Sequence, residues 1–408
     1  MTYQLTKNNN RLNFNITYRK LTINDTSLTA QKKDNTIVSR LEYFTKLFKG
    51  AITSSTFFEI GSGLEIKKEF TYLEVEPGQG VYYWNVAETD YNGNGVLDLD
   101  EVEIAAFQDQ ANYIRTFIPS NEFEKVYTNQ FSESFNLNPA AIWRNKKGFK
   151  KFLSRFSNQM VYRINHKTKD DDFTKAYNPF SSDIDNALLM TLNSSFRNTF
   201  YFNRSHAKFG MDINYQNNEN KILLTNGFDT RTLEKKGVNF RWNISRKFML
   251  NANSNMGKKT SASEYFTSKD YDIHFLETQP SLSFQPNVSF RLSVMYKYNK
   301  KENFSPTPNS NQITEIHNLG IELKYNIISK GNLLLKVNYI DISYNSPENS
   351  SLAFEMLEGL KTGKNATWNV SYQRNLSNHL QLSLVYDGRK SPEVKAVHVG
   401  SVQLRAYF

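Results

Sequence analysis

The sequence contains no cysteine and no long apolar run. Among its 408 residues there is no Cys, which excludes a disulfide framework and any chemistry that needs a thiolate. No stretch approaches the roughly 18 consecutive apolar residues of a membrane-spanning helix. Apolar residues make up 39% of the chain and the mean hydropathy is −0.60. A soluble protein fits these values, and so does a membrane β-barrel, in which every second strand residue faces a polar lumen.

Aromatic residues and positive charge are plentiful. The chain holds 30 Phe and 23 Tyr, and membrane β-barrels concentrate aromatic side chains in girdles at the two membrane interfaces. The net charge is +10, but the basic residues are spread along the chain and form no recognisable nucleic-acid module. We therefore expect no nucleic-acid partner, and we assign the positive charge to strand ends and loops beside anionic lipid headgroups.

The last third of the chain repeats a pattern of alternating apolar and polar residues. In the segment 288–298, Val, Phe, Leu, Val, Tyr and Tyr occupy every second position. A period of two predicts strands with one apolar and one polar face. The same pattern recurs in 319–325, 333–339, 366–372, 380–386 and 402–408.

The connections between these runs alternate between short turns and longer polar loops. Short turns are predicted near Arg204, Arg246, Pro286, Lys330 and Ser377. Together with strands of about ten residues, this asymmetry predicts an all-β fold, the C-terminal portion of an antiparallel transmembrane β-barrel. We expect roughly ten to twelve strands from residue 158 onwards and a handful before it. The expected location is the outer membrane of a diderm bacterium, and the alternative fold is a soluble β-sandwich or solenoid.

The chain divides into three regions. Residues 1–80 are predicted to form strands of the barrel or of an adjoining sheet, residues 81–122 an insert, and residues 123–408 barrel hairpins. Within the last region, the segment from Ala140 to Ser157 has apolar residues at helical spacing among Lys and Arg. It predicts one short basic amphipathic helix, which lies either in the membrane interface or on the protein's own sheet.

The insert contains the spacing of a calcium-binding loop. Residues 90–101 match the pattern D-x-[DN]-x-[DN]-G-x5-E, and calcium binds six to eight oxygens that such a loop places at alternating positions. The candidate ligands are Asp90, Asn92, Asn94, the Val96 carbonyl, Asp98 and Glu101. A plain polar hairpin loop is the alternative, because Asn-Gly occurs twice here and is a favoured turn dipeptide. We expect a lone structural Ca²⁺ site that pins the insert, without the open ligand position that catalysis requires.

The sequence carries no recognisable catalytic motif. The six His residues are scattered without paired spacing, and Gly61-Ser62-Gly63 is not a nucleophile elbow. We therefore predict that the protein is not an enzyme. The chain begins without the apolar segment of a signal peptide, and we expect it to be the C-terminal piece of a longer protein.

One module resembles a known protein family. It runs from Glu76-Pro77-Gly78-Gln79-Gly80 through the candidate calcium loop to Phe117-Ile118-Pro119. It resembles a module of large outer-membrane β-barrel proteins of Bacteroidota, the SprA-type translocons of gliding motility and type IX secretion. The match spans about residues 75–160, and the rest is similar only in its barrel strands. The resemblance implies secretion, envelope protein partners, and recognition of the terminal Phe408 by the barrel-insertion machinery.

These observations predict a non-enzymatic outer-membrane barrel in contact with lipid that serves transport, protein secretion or surface assembly, with a structural calcium site. Two alternatives remain open. One is a TonB-dependent receptor barrel, which would carry a plug domain and an energy-coupling box before residue 1. The other is a soluble calcium-binding β-protein of the cell surface, either an adhesin or a glycan binder.

Overall fold

Alternating apolar and polar residues form strands through most of the chain. The computed structural model describes residues 1–7, 9–22, 34–180, 188–224, 227–305, 311–327 and 330–407. The strands of the described residues are β1 (Thr2–Lys7), β2 (Asn10–Leu21), β3 (Asp34–Leu47), β4 (Ile52–Glu74), β5 (Tyr82–Tyr83), β6 (Glu103–Ile104), β7 (Tyr113–Leu137), β8 (Phe156–Thr168), β9 (Leu189–Phe202), β10 (Phe209–Leu224), β11 (Gly227–Asn243), β12 (Phe248–Ser263), β13 (Tyr271–Phe284), β14 (Phe290–Asn303), β15 (Ile313–Ile327), β16 (Gly331–Tyr344), β17 (Gly363–Ser377), β18 (Leu380–Lys390) and β19 (Val397–Ala406).

Helices are few and short. They are α1 (Ala140–Trp143), α2 (Phe149–Leu153), α3 (Phe173–Tyr177) and α4 (Ser351–Leu357), with 3-10 turns at Phe48–Gly50, Gln108–Gln110 and Thr267–Lys269. Within the described ranges, no helix is long and apolar enough to cross a membrane.

All the strands belong to one antiparallel sheet. Strands β1 to β4 pair in chain order, β4 then pairs with β7, and β7 to β19 again pair in chain order. The two-residue strands β5 and β6 form a small hairpin between β4 and β7. Strands β1 and β19 end this order, and no ladder joins them in the part of the chain that the structure describes. The predicted antiparallel order of hairpins is confirmed.

The sheet has one apolar face and one polar face. On β15, Ile321 lies opposite Val294 of β14 and Val337 of β16, and these three side chains are 46%, 44% and 42% exposed. On the other face of the same strands, Gly320 lies opposite Asn338. The apolar side chains therefore point away from the enclosed side of the sheet, where lipid accepts them, and the polar side chains face the lumen. The predicted β-barrel fold is confirmed.

Aromatic rings gather on the outer face near both ends of the strands. At the short-turn end, the Phe248 and Phe284 ring centroids are 4.9 Å apart, and those of Phe156 and Phe202 are 5.0 Å apart. Towards the long-loop end, Tyr339 is 48% exposed on the same face. Aromatic residues at two levels along the strands are typical of the girdles at membrane interfaces.

The predicted turns and the strand number agree with the structure. The five predicted turns all fall in or next to the short connections that follow β9, β11, β13, β15 and β17. Twelve strands begin at Phe156 or later among the described residues, which is within the predicted range. Phe408, predicted to be the terminal aromatic signal, lies outside the described residues.

The single helix predicted from Ala140 to Ser157 is wrong. The segment forms α1 and α2, and β8 already begins at Phe156. Gly148 separates the helices with φ +62° and ψ −141°, a backbone conformation that is open essentially to glycine alone. The ring of Phe149 stays 72% exposed instead of packing onto the sheet.

The insert is shorter at its C-terminal side than the sequence predicts. Residues 113–122 belong to β7, because Tyr113 to Ile118 continue the ladder with Glu69 to Glu74 of β4. These two strands are 23 and 25 residues long, about twice the length that crosses a membrane. They therefore extend beyond the barrel wall and carry the residues between them, 75–112, which we call the cap insert.

Candidate functional site: the capped mouth, the calcium loop and the lumen cavity

A segment after β16 folds into the mouth of the barrel at its long-loop end. We call residues 345–362 the α4 segment, because they contain α4, whose first turn is capped when the Ser350 hydroxyl accepts a hydrogen bond from the Ala353 N–H. Met356 and Leu357 are 0% and 2% exposed. Their partners are apolar residues on the lumen face of the wall. The clusters comprise Tyr271, Ile273, Ile316, Ile340, Ile342, Leu352, Ala353, Met356, Leu357 and Leu360.

Lysines of the lumen wall hold the α4 segment through its carboxylates and carbonyls. Lys259 on β12 pairs with Glu355. Lys301 on β14 lies 3.1 Å from Glu358 and donates a 3.0 Å hydrogen bond to the Met356 carbonyl. Burial raises the pKa of Glu358, but Lys301 and Lys297 act in the opposite direction, and the net result is a pKa below the usual glutamate value.

The cap insert reaches across the mouth to β18. Arg389 on the lumen face of β18 donates from Nη1 to both carboxylate oxygens of Asp109, at 2.7 Å each. Its guanidinium also stacks over the Phe107 ring at 4.6 Å, and Phe107 packs against the apolar cluster of the α4 segment. The two charged side chains are 15% and 22% exposed, so this contact is largely shielded from solvent.

A second set of contacts ties the cap insert to the loop between β12 and β13. Ser268 donates to Asp100 at 3.0 Å, and Lys269 donates to the Val102 carbonyl. The Lys269 ammonium lies 3.9 Å from Glu103, and both side chains are nearly buried. Burial raises the pKa of Glu103 and lowers the pKa of Lys269, although each charge partly offsets the shift of the other.

The cap insert and the α4 segment also touch each other. Gly359 has φ +71°, and a Cβ atom built on it would lie 2.3 Å from the Ala106 Cβ. Glycine is required there because it alone combines this left-handed backbone with so close an approach. Asn349 adds a 3.5 Å hydrogen bond to the Tyr91 carbonyl.

The predicted calcium ligands lie in one turn of the cap insert. Asp90 accepts hydrogen bonds from the backbone N–H groups of Gly93, Asn94 and Gly95, at 2.7, 3.2 and 2.7 Å. Both glycines have φ +72°, so this fold of the loop depends on them. The acid at position one of the pattern therefore organises the sharp bend that the pattern predicts.

The remaining candidate ligands lie around the same bend. Asp98 accepts from the side-chain amides of Asn92 and Asn94 at 2.7 and 2.9 Å. The Asn94 side-chain oxygen accepts from the Val96 N–H at 2.6 Å, and the Val96 side chain is 60% exposed. The structure thus brings the predicted residues together, with their polar groups bonded to one another.

Glu101, the last candidate ligand, is the most enclosed. It is 2% exposed, accepts from the Asn92 N–H at 3.1 Å and from the Trp84 indole N–H at 3.2 Å. It forms no ion pair with any described residue. A buried carboxylate normally has a cationic partner or a metal, so its environment fits a bound cation. Three or more acidic or histidine side chains do not, however, converge on a single metal position in the described ranges.

The lumen wall lines an open cavity of about 850 Å³. Its lining comes from β4 and from β7 to β12, and it includes Arg163, Asn165, Asn193 and Asn218. In the sequence, these residues look like any other polar strand positions. The alternating pattern does place these polar residues on one face of each strand, and the pairing of the strands then brings them side by side on the lumen face.

Comparisons with known proteins show a similarity in fold. No protein-family model and no curated protein matches the sequence. Among solved structures, the FrpB iron transporter from Neisseria meningitidis (F3-3 variant) has 10% identity and a TM-score of 0.45, over 95% of this chain and 58% of that protein. The ferric-catecholate import receptor Fiu from E. coli K12 has 10% identity and a TM-score of 0.41, over 98% and 64%. A bacterial polysaccharide outer membrane secretin has 6% identity and a TM-score of 0.36, over 98% and 99%.

These identities and TM-scores are too low to carry an argument about function, and the chain spans less than two thirds of FrpB and Fiu. The decisive observation is the outward apolar face with its aromatic levels around a polar lumen. The chain is a β-barrel whose outer surface faces lipid.

Proposed function

We propose that this protein is a non-enzymatic outer-membrane barrel for transport or protein secretion, in which the cap insert covers the mouth. The observation that carries the proposal is the pairing of Asp109 with Arg389, which spans the mouth from the cap insert to β18. The cap insert is attached mainly by polar contacts, whereas the α4 segment has an apolar core. Polar contacts exchange with water at little cost, so the cap insert is suited to release when a solute passes.

We further propose that Ca²⁺ binds the loop at Asp90, Asn92, Asn94, the Val96 carbonyl, Asp98 and Glu101. The support is the spacing of these residues, their clustering at one bend, and the buried Glu101 carboxylate, which has no ion pair with any residue that the structure describes. The residues that directly follow the loop make the contacts with Lys269. Calcium would therefore hold the cap insert in its seated position, since it orders the chain that leads to those contacts.

The resemblance of residues 75–160 to a module of Bacteroidota outer-membrane barrels supports secretion or surface assembly over uptake. On this proposal, envelope proteins meet the long-loop end, lipid surrounds the outer face, and the insertion machinery reads Phe408. A soluble adhesin or glycan binder is disfavoured, because such a protein would not keep an apolar face like that of Ile321 exposed to water.

Limited proteolysis of the full chain in detergent micelles tests the calcium proposal. We expect Ca²⁺ to protect residues 81–112 from cleavage and chelation with EGTA to remove the protection. The double variant Asp90→Ala/Glu101→Ala should be cleaved equally in both conditions. A control, Glu74→Ala/Asp171→Ala, removes two exposed carboxylates outside the loop and should behave like the parent. Equal cleavage of the parent with and without EGTA would contradict calcium binding.

A further inference from the structure

The lumen cavity is positively charged and almost free of acidic side chains. Its volume is about 850 Å³, and Glu219 is the one carboxylate among its described lining residues. Glu219 lies opposite Ser194 and Thr232 on the outward face of the wall, so its carboxylate does not face the lumen. The cationic lining residues are Arg163, Arg231 and Lys259.

Arg163 differs from the other two cations because it has no partner among the residues that the structure describes. Arg231 lies 4.0 Å from Asp229, and Lys259 pairs with Glu355. The guanidinium of Arg163 makes no hydrogen bond and no ion pair with any described residue, and the side chain is exposed to the lumen. It stands between Ser132 and Ser195 of the neighbouring strands, neither of which neutralises a charge.

A second guanidinium without a partner among the described residues stands on the adjacent strand, beside the residues that line the cavity. Arg197 lies opposite Val161, two residues from Arg163, so the two arginines are diagonal neighbours on the lumen face. Such neighbours have Cα atoms about 7–8 Å apart. Arg197 likewise makes no hydrogen bond or ion pair with the described residues. Two like charges this close repel each other, and an anion between them would remove the repulsion.

The rest of this wall offers neutral hydrogen-bonding groups beside an apolar surface. Ser195 donates to Asn218 at 2.8 Å, and Asn193 bonds to Asn220. The side-chain oxygen of Asn165 is buried without a hydrogen-bond partner in the structure. Amides and hydroxyls of this kind suit the hydroxyl groups of a solute, since each supplies or accepts a hydrogen bond without a net charge.

We propose that this cavity binds an acidic sugar, with Arg163 and Arg197 holding its carboxylate and the Asn and Ser side chains holding its hydroxyl groups. A guanidinium presents two parallel N–H donors that match a carboxylate. Phe57, on the β4 side of the cavity, has the Arg40 guanidinium over one face of its ring at 4.8 Å and would meet the apolar face of the sugar with the rest of the ring. The inference deepens the proposed transport function by naming a solute class, but binding can be measured without transport, so the two can fail separately.

Isothermal titration calorimetry of the full chain in detergent micelles tests the inference, with sodium D-glucuronate as the probe and D-glucose as its uncharged match. We expect glucuronate to bind and glucose to bind at least about tenfold more weakly, because the charged hydrogen bonds are lost. Arg163→Gln and Arg197→Gln should each weaken glucuronate binding by about tenfold or more. Arg163→Lys keeps the charge but loses the paired donors, and it should fall between the parent and Arg163→Gln.

The matched control is Arg405→Gln, which removes the same charge from the lumen face of β19, outside the cavity. It should bind glucuronate as the parent does. Retention of the folded form on unboiled gels confirms that each variant has a barrel to test. Absence of glucuronate binding to the folded parent would overturn the inference, and so would equal binding of glucose or an undiminished affinity in folded Arg163→Gln. An equal loss in Arg405→Gln would reduce the effect to general lumen charge and would also overturn it.

Discussion

Replacement of Asp109 by Asn should loosen the cap insert while the barrel stays intact. The change removes the negative charge that accepts two 2.7 Å hydrogen bonds from Arg389, and it keeps the size of the side chain. A hydrogen bond to a charged group contributes about 1.5–3 kcal/mol. Because the shielding of the pair is incomplete, at 15% and 22% exposed, we take the lower part of that range, about 1.5–2 kcal/mol. The stacking of Arg389 on Phe107 remains in the variant.

A cost of this size raises the population of the unseated cap insert by about 10- to 30-fold, since each 1.4 kcal/mol is about tenfold. Hydrogen exchange followed by mass spectrometry measures this directly. The Ala105 amide, which donates to the Val81 carbonyl at 3.0 Å, should exchange faster by the same factor. Amides in the β15–β16 ladder serve as the internal control and should keep their rates.

The double-mutant cycle with Arg389→Gln separates the pair from the individual side chains. If the two residues act through their contact, the double variant costs less than the sum of the two single variants. Strict additivity, or exchange at Ala105 that does not change in Asp109→Asn, would refute the assignment of this pair as the attachment of the cap insert.

Three further predictions follow from the geometry. Lysines hold the pKa of Glu358 below the usual glutamate value of about 4.3. The ion pair between Glu358 and these lysines therefore stabilises the α4 segment above about pH 4.3, and this stabilisation is lost as the pH falls through the lowered pKa. Protease protection of the α4 segment in the parent should decrease only in that acidic range, and Glu358→Gln should remove this pH dependence. Ile321→Lys places a charge in the lipid-facing band and should cost about 2–4 kcal/mol in urea unfolding from lipid vesicles, whereas Ser371→Lys on the lumen face should cost far less; equal costs would contradict the assignment of the faces. Gly359→Ala should displace the cap insert, because its Cβ would lie 2.3 Å from Ala106, and unchanged cleavage of the cap insert in this variant would contradict the packing.

The barrel could be predicted because its determinants are local. The alternation around Ile321 sets which face of a strand is apolar, and short turns such as the one near Lys330 fix the neighbouring register. The failed helix prediction has an equally local cause: Gly148 interrupts the apolar spacing with a backbone conformation that a helix cannot contain. The glycine is present in the sequence, but the helical spacing of apolar residues does not by itself show that a glycine interrupts the helix.

The candidate sites also differ in whether their contacts are local in the sequence. The bend around Asp90 was predictable because all its partners lie within a few residues. The contact of Asp109 with Arg389 was not, since each looks like an ordinary surface charge in the sequence. Arg163 and Arg197 became neighbours only through the pairing of β8 with β9. Their lack of partners in the described part of the chain depends on every strand around them.

The span of chain between Asp109 and Arg389 has a consequence for the order of assembly. The two residues are 280 positions apart, so their contact cannot form until nearly every later hairpin has joined the wall. The entropy cost of closing so long a loop becomes small enough only after nearer strand pairings have shortened the effective loop. The contacts of the cap insert with Ser268 and Lys269 need only the strands up to β13, so the two attachments of residues 75–112 form in sequence, and the one at Arg389 is among the last steps of maturation.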